Sequence, residues 1–423
     1  KALAGGAAAA MTGRDNIVMG NEAGESMTSA EHNIAMGENA GKSITEAEQN
    51  VLMGRSAGCS ITDSGNSNVF IGPYVGQGNT TGDFSVAIGC GTLKCMTGTG
   101  CNIAFGRMAG QYLTTSNHNF YAGNYTAKWH KGGHNVAIGQ QALYGGNESG
   151  ACDDNTGSYN IAIGHYTATK VSTGQANIYL GYQAGPTSSA STGSCNIIMG
   201  WDSGDQLTSG DHNVVMGHDA GRFLATGANN VLLGKSAGCK LTGSNSTHLG
   251  YGAGGSQTTG SNNVYIGSGA PENDTTSQEV IIYSGTNYAR FQGSDTSWSF
   301  TSDARDKTNV QDLLLGLSFI NTLKPRQFEW NWREGGVASG NGTIRSGFIA
   351  QEILESTDAA GLSRTADESI TSKNVYTGLV DVTNPDQYQV STGELVPMLV
   401  KAVQELSAKN DALEARIAAL ESS

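Results

Sequence analysis

A five-residue pattern returns throughout the first two thirds of the chain: Asn, an apolar residue, any residue, an apolar residue, Gly. It opens as Asn16-Ile17-Val18-Met19-Gly20 and recurs as Asn33-Ile34-Ala35-Met36-Gly37. With Ser in place of Asn at Ser85, and shortened to Thr247-His248-Leu249-Gly250, it continues to Asn263-Val264-Tyr265-Ile266-Gly267. Fifteen units result, mostly 17 residues apart by their closing glycines. Within a pentad such as Val136-Ala137-Ile138, apolar residues alternate with the two-residue period of a strand that buries one face. Between pentads many units read Ala-Gly-x-x-apolar-Thr, as in Ala109-Gly110 to Leu113-Thr114, followed by a Gly or Asn turn. Each unit is therefore expected to hold two short strands and two tight turns. Gly supplies left-handed backbone there, and Asn tolerates it.

A unit of this length cannot bury an apolar face alone, so neighbours must stack into a solenoid with one continuous core. With strand layers about 4.8 Å apart, fifteen rungs predict a rod of roughly 70 Å.

Composition agrees with that reading and removes several others. The chain has 423 residues with 60 Gly, only 6 Pro and 14% charged residues. Gly follows no three-residue period and Pro is scarce, which excludes a collagen helix, and 38% apolar residues exclude general disorder. A net charge of -13 with no basic stripe argues against a nucleic acid partner. No apolar run is long enough to span a membrane, and residues 1–11 are too short and Gly-rich for a signal peptide. The chain begins at Lys1, as expected of a processed chain or a piece of a longer one. The seven cysteines contain no Cys-x-x-Cys pair, so neither a zinc site nor a disulfide scaffold is expected, and no metal or cofactor is assigned. Cys59 and Cys239, each after Ser-Ala-Gly, read as small buried hydrophobes.

Two insertions interrupt the period. One, between Gly139 and Gly164, carries Glu148, Asp153 and Asp154; the other, between Gly181 and Gly200, adds the Ser/Thr-rich loop from Thr187 to Thr192. Insertions in a solenoid lie on the outside, where they either decorate the surface or make contacts. The acidic loop matches neither of the calcium-loop patterns. Trp129, His130, Lys131 and His134 read as a polar, aromatic surface turn.

After residue 270 the period stops. Val280 to Tyr283, Tyr288 to Phe291 and Trp298 to Phe300 read as strands, and helix is expected from Val310 to Leu323. Thr301-Ser302-Asp303-Ala304-Arg305-Asp306-Lys307 has a local explanation, with Ser302 or Asp303 capping a helix that runs toward Leu317. Downstream stand Leu323-Lys324-Pro325 with Phe328 and Trp330, then Gly347-Phe348-Ile349-Ala350-Gln351-Glu352, then Val396-Pro397 opening a last helix. In that helix Val396, Leu399, Val403, Leu406, Asn410, Leu413, Ile417 and Leu420 keep a 3-4 spacing, which is a heptad seam. Asn410 fixes register, and Lys409 to Glu414 and Arg416 to Glu421 suit pairing between parallel helices. Packing of this helix on its own domain is the alternative. The spacing alone does not separate dimer from trimer.

Two resemblances follow from these residues. The pentads with their Ala-Gly partners resemble the left-handed β-roll heads of trimeric autotransporter adhesins and the repeats of phage and marine viral tail fibres, which implies a parallel homotrimer over about residues 11 to 270. The ordered motifs from 301 to 423 resemble the self-cleaving intramolecular chaperone domain, of endosialidase type, at the C-terminus of phage tail spikes and fibres. That resemblance implies a module that trimerises the fibre before it and then severs the Thr301-Ser302 bond, with Ser302 as nucleophile and Lys307 as its base. A serine hydroxyl needs a base, and a lysine serves when desolvation or a cation such as Arg305 lowers its pKa. Asp303 and Arg305 would orient the turn. Residues five apart share no helix face, so the pair would meet across a turn or between chains.

The expected fold is mainly β: a homotrimeric parallel β-solenoid (β-roll) shaft over 1–270, a β-rich connector over 271–301, a small α+β chaperone domain over 302–395 and a parallel coiled coil over 396–423. The function these readings imply is a structural viral tail fibre for host attachment. Its partners would be two further copies of itself, a glycan or protein receptor on the host surface and other virion tail proteins, with no nucleic acid and no membrane insertion. It would be made in the host cytoplasm and reside in the virion. The only enzymatic act implied is a single self-cleavage. Alternatives are a cell-surface trimeric adhesin, and a glycan-degrading tail spike, which would need paired carboxylates in a cleft, whereas Glu22, Glu38 and Asp219 are scattered.

Overall fold

The computed structural model describes residues 12–98, 100–146, 155–269, 275, 277–284, 287–292, 299–300, 310, 312–329, 344–360, 379–381 and 389–422. The chain divides into two compact units, Lys1–Ser302 and Asp303–Ser423.

In the first unit every pentad forms one three-residue strand, from β1 (Ile17–Met19) to β15 (Val264–Ile266). Each strand lies parallel to the next and in register, pentad residue against pentad residue, as in Val214↔Val231 and Val215↔Leu232. The register holds across the long insertion, where Val136 lies opposite Ile161. It also holds through the shortened unit, where Ser246 takes the Asn position before Thr247–Leu249. The ladder extends past residue 270, because β16 (Glu279–Ser284) pairs parallel with β15. It then folds back through β17 (Asn287–Gln292) and β18 (Ser299–Phe300), both antiparallel.

One expectation fails within the unit. The Ala-Gly-x-x-apolar-Thr half is not a second strand but a run of turns. Left-handed residues at the second and fourth positions after the pentad glycine, such as Asp202 (φ 50°) and Gly204 (φ 61°), curl the chain where a strand needs extended backbone. The rungs still join there through backbone bonds, with Gly204 N donating to Ala220 O at 3.0 Å and Gln206 N to Arg222 O at 3.0 Å. A further left-handed residue precedes each pentad Asn, as at Cys195 and His212, so the Asn is not itself the turn residue.

The pentad Asn points into the core and forms a ladder. Asn213 Oδ1 accepts from Asn230 N at 3.0 Å and from Asn230 Nδ2 at 3.1 Å, while Asn213 Nδ2 donates to Asn196 Oδ1 at 3.0 Å and to Gly227 O at 2.9 Å. Buried amides are tolerated because each finds its partners. The other inward residue is the middle one of the strand, and its size is matched across the rung. Phe70 and Tyr179 face glycines, Gly76 and Gly185, where an added Cβ would come within 2.3 Å of the ring. Ala87 and Ala137 are accompanied by buried Leu93 and Leu143 at the same position. Such complementary volumes keep an interior close-packed. The pentad glycine has no substitute in any unit. Gly217, at φ 137°, would place a Cβ 2.4 Å from Gly234 O of the next rung.

The first and third strand residues therefore face outward. Ile163 is 38% exposed, Ile17 is 53% exposed, and Ile88, Ile103, Ile138, Ile197, Met216 and Ile266 continue an apolar stripe along the unit. At the last rungs the core closes on polar groups: Tyr265 donates to buried Glu279 Oε2 at 2.6 Å, and Glu279 pairs with Arg290.

The second unit is small and mixed. It contains α1 (Leu317–Ile320), β19 (Arg326–Phe328) antiparallel to β20 (Arg345–Gly347), α2 (Ala350–Ala359), β21 (Val380–Asp381) antiparallel to β22 (Gln389–Val390), and α3 (Leu395–Glu421). The helix expected from Val310 to Leu323 is a single turn, since 312–316 are not helical. No helix continues through 312–316 to Leu317, and Ser302 and Asp303, the expected caps, lie outside the described residues. Pro397 lies in the first turn of α3, where a missing N–H leaves no bond unmade. Leu315, Phe319, Ile353, Leu354, Leu379, Leu395 and Met398 make the core.

Candidate functional site

Three of the motifs read in the C-terminal sequence meet in the second unit. Leu323 and Pro325 from the first, Phe348 from the second and Leu395 and Leu399 from the start of α3 line one apolar hollow of about 290 Å³. Arg326, beside the first motif, donates from Nε to Glu352 Oε2 at 2.9 Å and from Nη2 to Oε1 at 2.5 Å. A two-pronged guanidinium–carboxylate pair fixes both position and angle, so β19 is tied to the first turn of α2. The Arg326 hydrogen bonds hold the Glu352 carboxyl below its ordinary range.

The long helix is docked at its start and exposed beyond. Leu395, Met398 and Ala402 are buried in the unit, and Glu405 Oε2 accepts from Leu317 N at 2.8 Å. Gly316 permits this approach, because a Cβ there would lie 2.4 Å from the Glu405 carboxylate. The seam lies on another face of the helix. Val396, Leu399, Val403, Leu406, Leu413, Ile417 and Leu420 are 46% to 71% exposed, and Asn410 donates to Glu414 Oε1 within the helix at 3.1 Å. Packing on the chain's own domain thus uses Leu395, Met398 and Ala402, with Leu399 lining the hollow, and leaves the other heptad positions outward.

Thr301, Ser302, Asp303, Arg305 and Lys307 lie outside the described residues, as do Trp330, Glu148, Asp153 and Asp154. Among the described residues no group of three or more His, Cys, Asp or Glu could hold a metal ion, and no helix is long and apolar enough to cross a membrane.

The presumed surface turn at 129–134 separates into three roles. His130 is fully buried at the position that Leu113 and Leu224 occupy in other rungs, with Nε2 2.7 Å from Gly157 O. Burial pushes its pKa down to about 4. Trp129 stacks on Tyr112 at 3.8 Å, and the His134 ring stacks between those of His118 and Tyr159 at 4.8 Å from each. Cys59 and Cys239 are half-buried rather than core residues, and Cys59 Sγ lies 3.6 Å from Gln77 O.

A feature that sequence reasoning missed is a column of rings just after the pentad glycines. His165, Tyr182, Trp201 and His218 follow one another at centroid distances of 5.6, 5.1 and 5.7 Å. The signal was present as one aromatic at the same offset in four consecutive units. Beside it stand Asp202, whose carboxyl is pushed up by burial, and Asp219, which accepts from Arg222 Nη1 at 3.3 Å.

Residues 302–362 match the family model Peptidase_S74, described as chaperone of endosialidase. No curated protein and no solved structure matches the chain. The chaperone domain and the β-solenoid together fit a protein of tail-fibre type.

Proposed function

We propose that this chain is a homotrimeric fibre for host attachment, with the solenoid as its shaft and the C-terminal unit as the intramolecular chaperone that assembles it. One observation carries this reading: a single chain leaves its heptad seam exposed along α3. Contiguous exposed apolar surface marks an association site. A chaperone domain of the matched family implies trimer assembly, and the outward apolar stripe of the solenoid would be covered by the same copies.

In this reading the chaperone then releases itself. Lys307 takes the proton of the Ser302 hydroxyl, and Ser302 Oγ adds to the Thr301 carbonyl carbon. The Thr301–Ser302 C–N bond breaks as the nitrogen is protonated, which leaves an ester that water hydrolyses to a Thr301 carboxylate and a free Ser302 hydroxyl. Asp303 and Arg305 orient the turn.

Sedimentation of the full chain beside Leu406→Asp tests the assembly. The wild type should run as a trimer and the seam variant as smaller species; a Leu406→Asp chain that still forms heat-resistant trimers overturns the assignment. Intact mass beside Ser302→Ala and Lys307→Ala tests the cleavage. Two pieces from the wild type and whole chains from both variants are expected. A wild type that stays whole removes the cleavage step and leaves the chaperone as a permanent clamp.

A further inference from the structure

The ring column after the pentad glycines differs from the stacked aromatic contacts of the solenoid. His118, His134 and Tyr159 lie parallel within 10°, and Tyr112 and Trp129 within 5°, so their faces cover one another. In the column successive rings are turned by 64°, 60° and 71°. Turned rings do not stack shut, and Trp201 remains 55% exposed and Tyr182 39%. Two rungs further on, at the same offset from the pentad glycine, Tyr251 is exposed with Lys235 Nζ 5.9 Å from its ring. Large exposed rings on a turn contribute nothing to the core and are costly to leave in water.

The polar groups beside the rings narrow the choice of partner. Asp202 and Asp219 flank Trp201 and His218, with His218 Nδ1 3.0 Å from Asp219 Oδ2 and Arg222 on the other oxygen. Buried Asp205 accepts from Ser188 Oγ at 3.1 Å and from Thr187, which docks the Ser/Thr-rich insertion against the same turn. Asp202, Asp205 and Asp219 outnumber Arg222 and Lys235, the residue after the next pentad glycine, which disfavours an anionic partner. Flat rings interleaved with carboxylates and hydroxyls suit a ligand whose ring faces are apolar and whose edges carry hydroxyls.

We propose that Tyr182, Trp201 and His218 form a contact strip for an uncharged glycan chain. The C–H faces of successive sugar rings rest on Trp201 and Tyr182, and sugar hydroxyls bond to Asp202 and Asp219. The ring spacing of one per rung lets a linear chain meet the column repeatedly. This deepens the attachment reading and rests on it only for where the glycan is found.

The test applies the labelled full-length protein to an array of immobilised neutral and anionic glycans, beside Tyr182→Ala/Trp201→Ala and Trp201→Phe. Wild type should retain at least one neutral glycan, the double variant should bind it about tenfold more weakly or worse, and Trp201→Phe should keep most of the binding. All three should share one sedimentation coefficient and one melting temperature. Retention of anionic glycans alone, of none, or equally by the double variant overturns the proposal. So does a double variant of lower oligomeric state, because the column would then be a contact between copies. Binding to a panel of microbial cells separates the two readings. A protein that decorates cells but ignores neutral glycans loses only the strip, and one that binds glycans but no cells loses only host attachment.

Discussion

Asn213 shows how much a single buried side chain holds in this solenoid. Its amide bonds to Asn196 and Gly227 on two sides and receives both Asn230 donors. Asn196 Oδ1 also accepts from Asn213 N and Asn230 Nδ2 also donates to Gly243 O, so Asn213→Ala would strip their bonds from two buried groups, Asn230 N and Gly227 O, at about 1 to 3 kcal/mol for each group left unsatisfied. Urea unfolding should show a loss of about 3 kcal/mol, with Asn213→Ser intermediate, since Ser85 Oγ and Ser246 Oγ already accept from the next rung's Asn102 N and Asn263 N. A loss below experimental error would mean that the ladder is not a structural element. Buried imidazoles make a second prediction. Burial holds both His130 and His248 down to about 4 in the fold, against 6.5 when exposed. The unfolded chain therefore binds more protons between those values. Solenoid stability should be complete above about pH 6.5 and should fall as pH drops toward 4, by about 3 kcal/mol for each histidine. His248→Tyr, which places there the residue found at Tyr179 and Tyr265, should remove about half of the slope. An unfolding midpoint that stays flat from pH 7 to 4.5 would contradict this.

At the scale of one rung, the strand was legible and the rest of the unit was not. Alternation in Val-Ala-Ile announces a strand because side chains of an extended backbone change sides at every residue. The Ala-Gly-x-x-apolar-Thr half alternates in composition too, but left-handed residues bend it into turns, and Asp202, Gln183 and Tyr166 carry no sign that they adopt this backbone. Which side of the strand is inward was also hidden, because Ala137 is buried while larger Val136 and Ile138 face out. That inversion has a consequence. Ile163→Lys on the outward stripe should leave the strand content and melting of the separate chain unchanged, yet prevent the trimer that the proposed assembly predicts, as sedimentation would show. A drop in strand signal would place Ile163 in the core instead. The helix α3 was legible from its 3-4 spacing, which helix geometry sets, and the positions so spaced are exposed on it. The Glu405 contact with Leu317 was not, because it joins residues 88 apart.

At the scale of the whole molecule, one unit is a ladder that repeats itself and the other is a module that does not. The ladder is nearly indifferent to register from one rung to the next, since every pentad matches every other. Chains that share such faces can pair one or more rungs out of step. In the proposed assembly, a non-repeating unit with a heptad spacing would supply the single alignment that the rungs lack, which is the physical case for a chaperone function of the C-terminal unit. Ser302 and Lys307 were legible only as a motif, and their geometry lies outside the described residues. The most direct measurement is the mass reached after refolding from denaturant by the full chain and by a chain ending at residue 302. The full chain should recover a species of three times 43.8 kDa, or three times its solenoid fragment if cleavage follows. The shortened chain should yield monomers and misaligned aggregates. Recovery of the same trimer, equally fast, by the shortened chain would contradict the assembly role of the C-terminal unit.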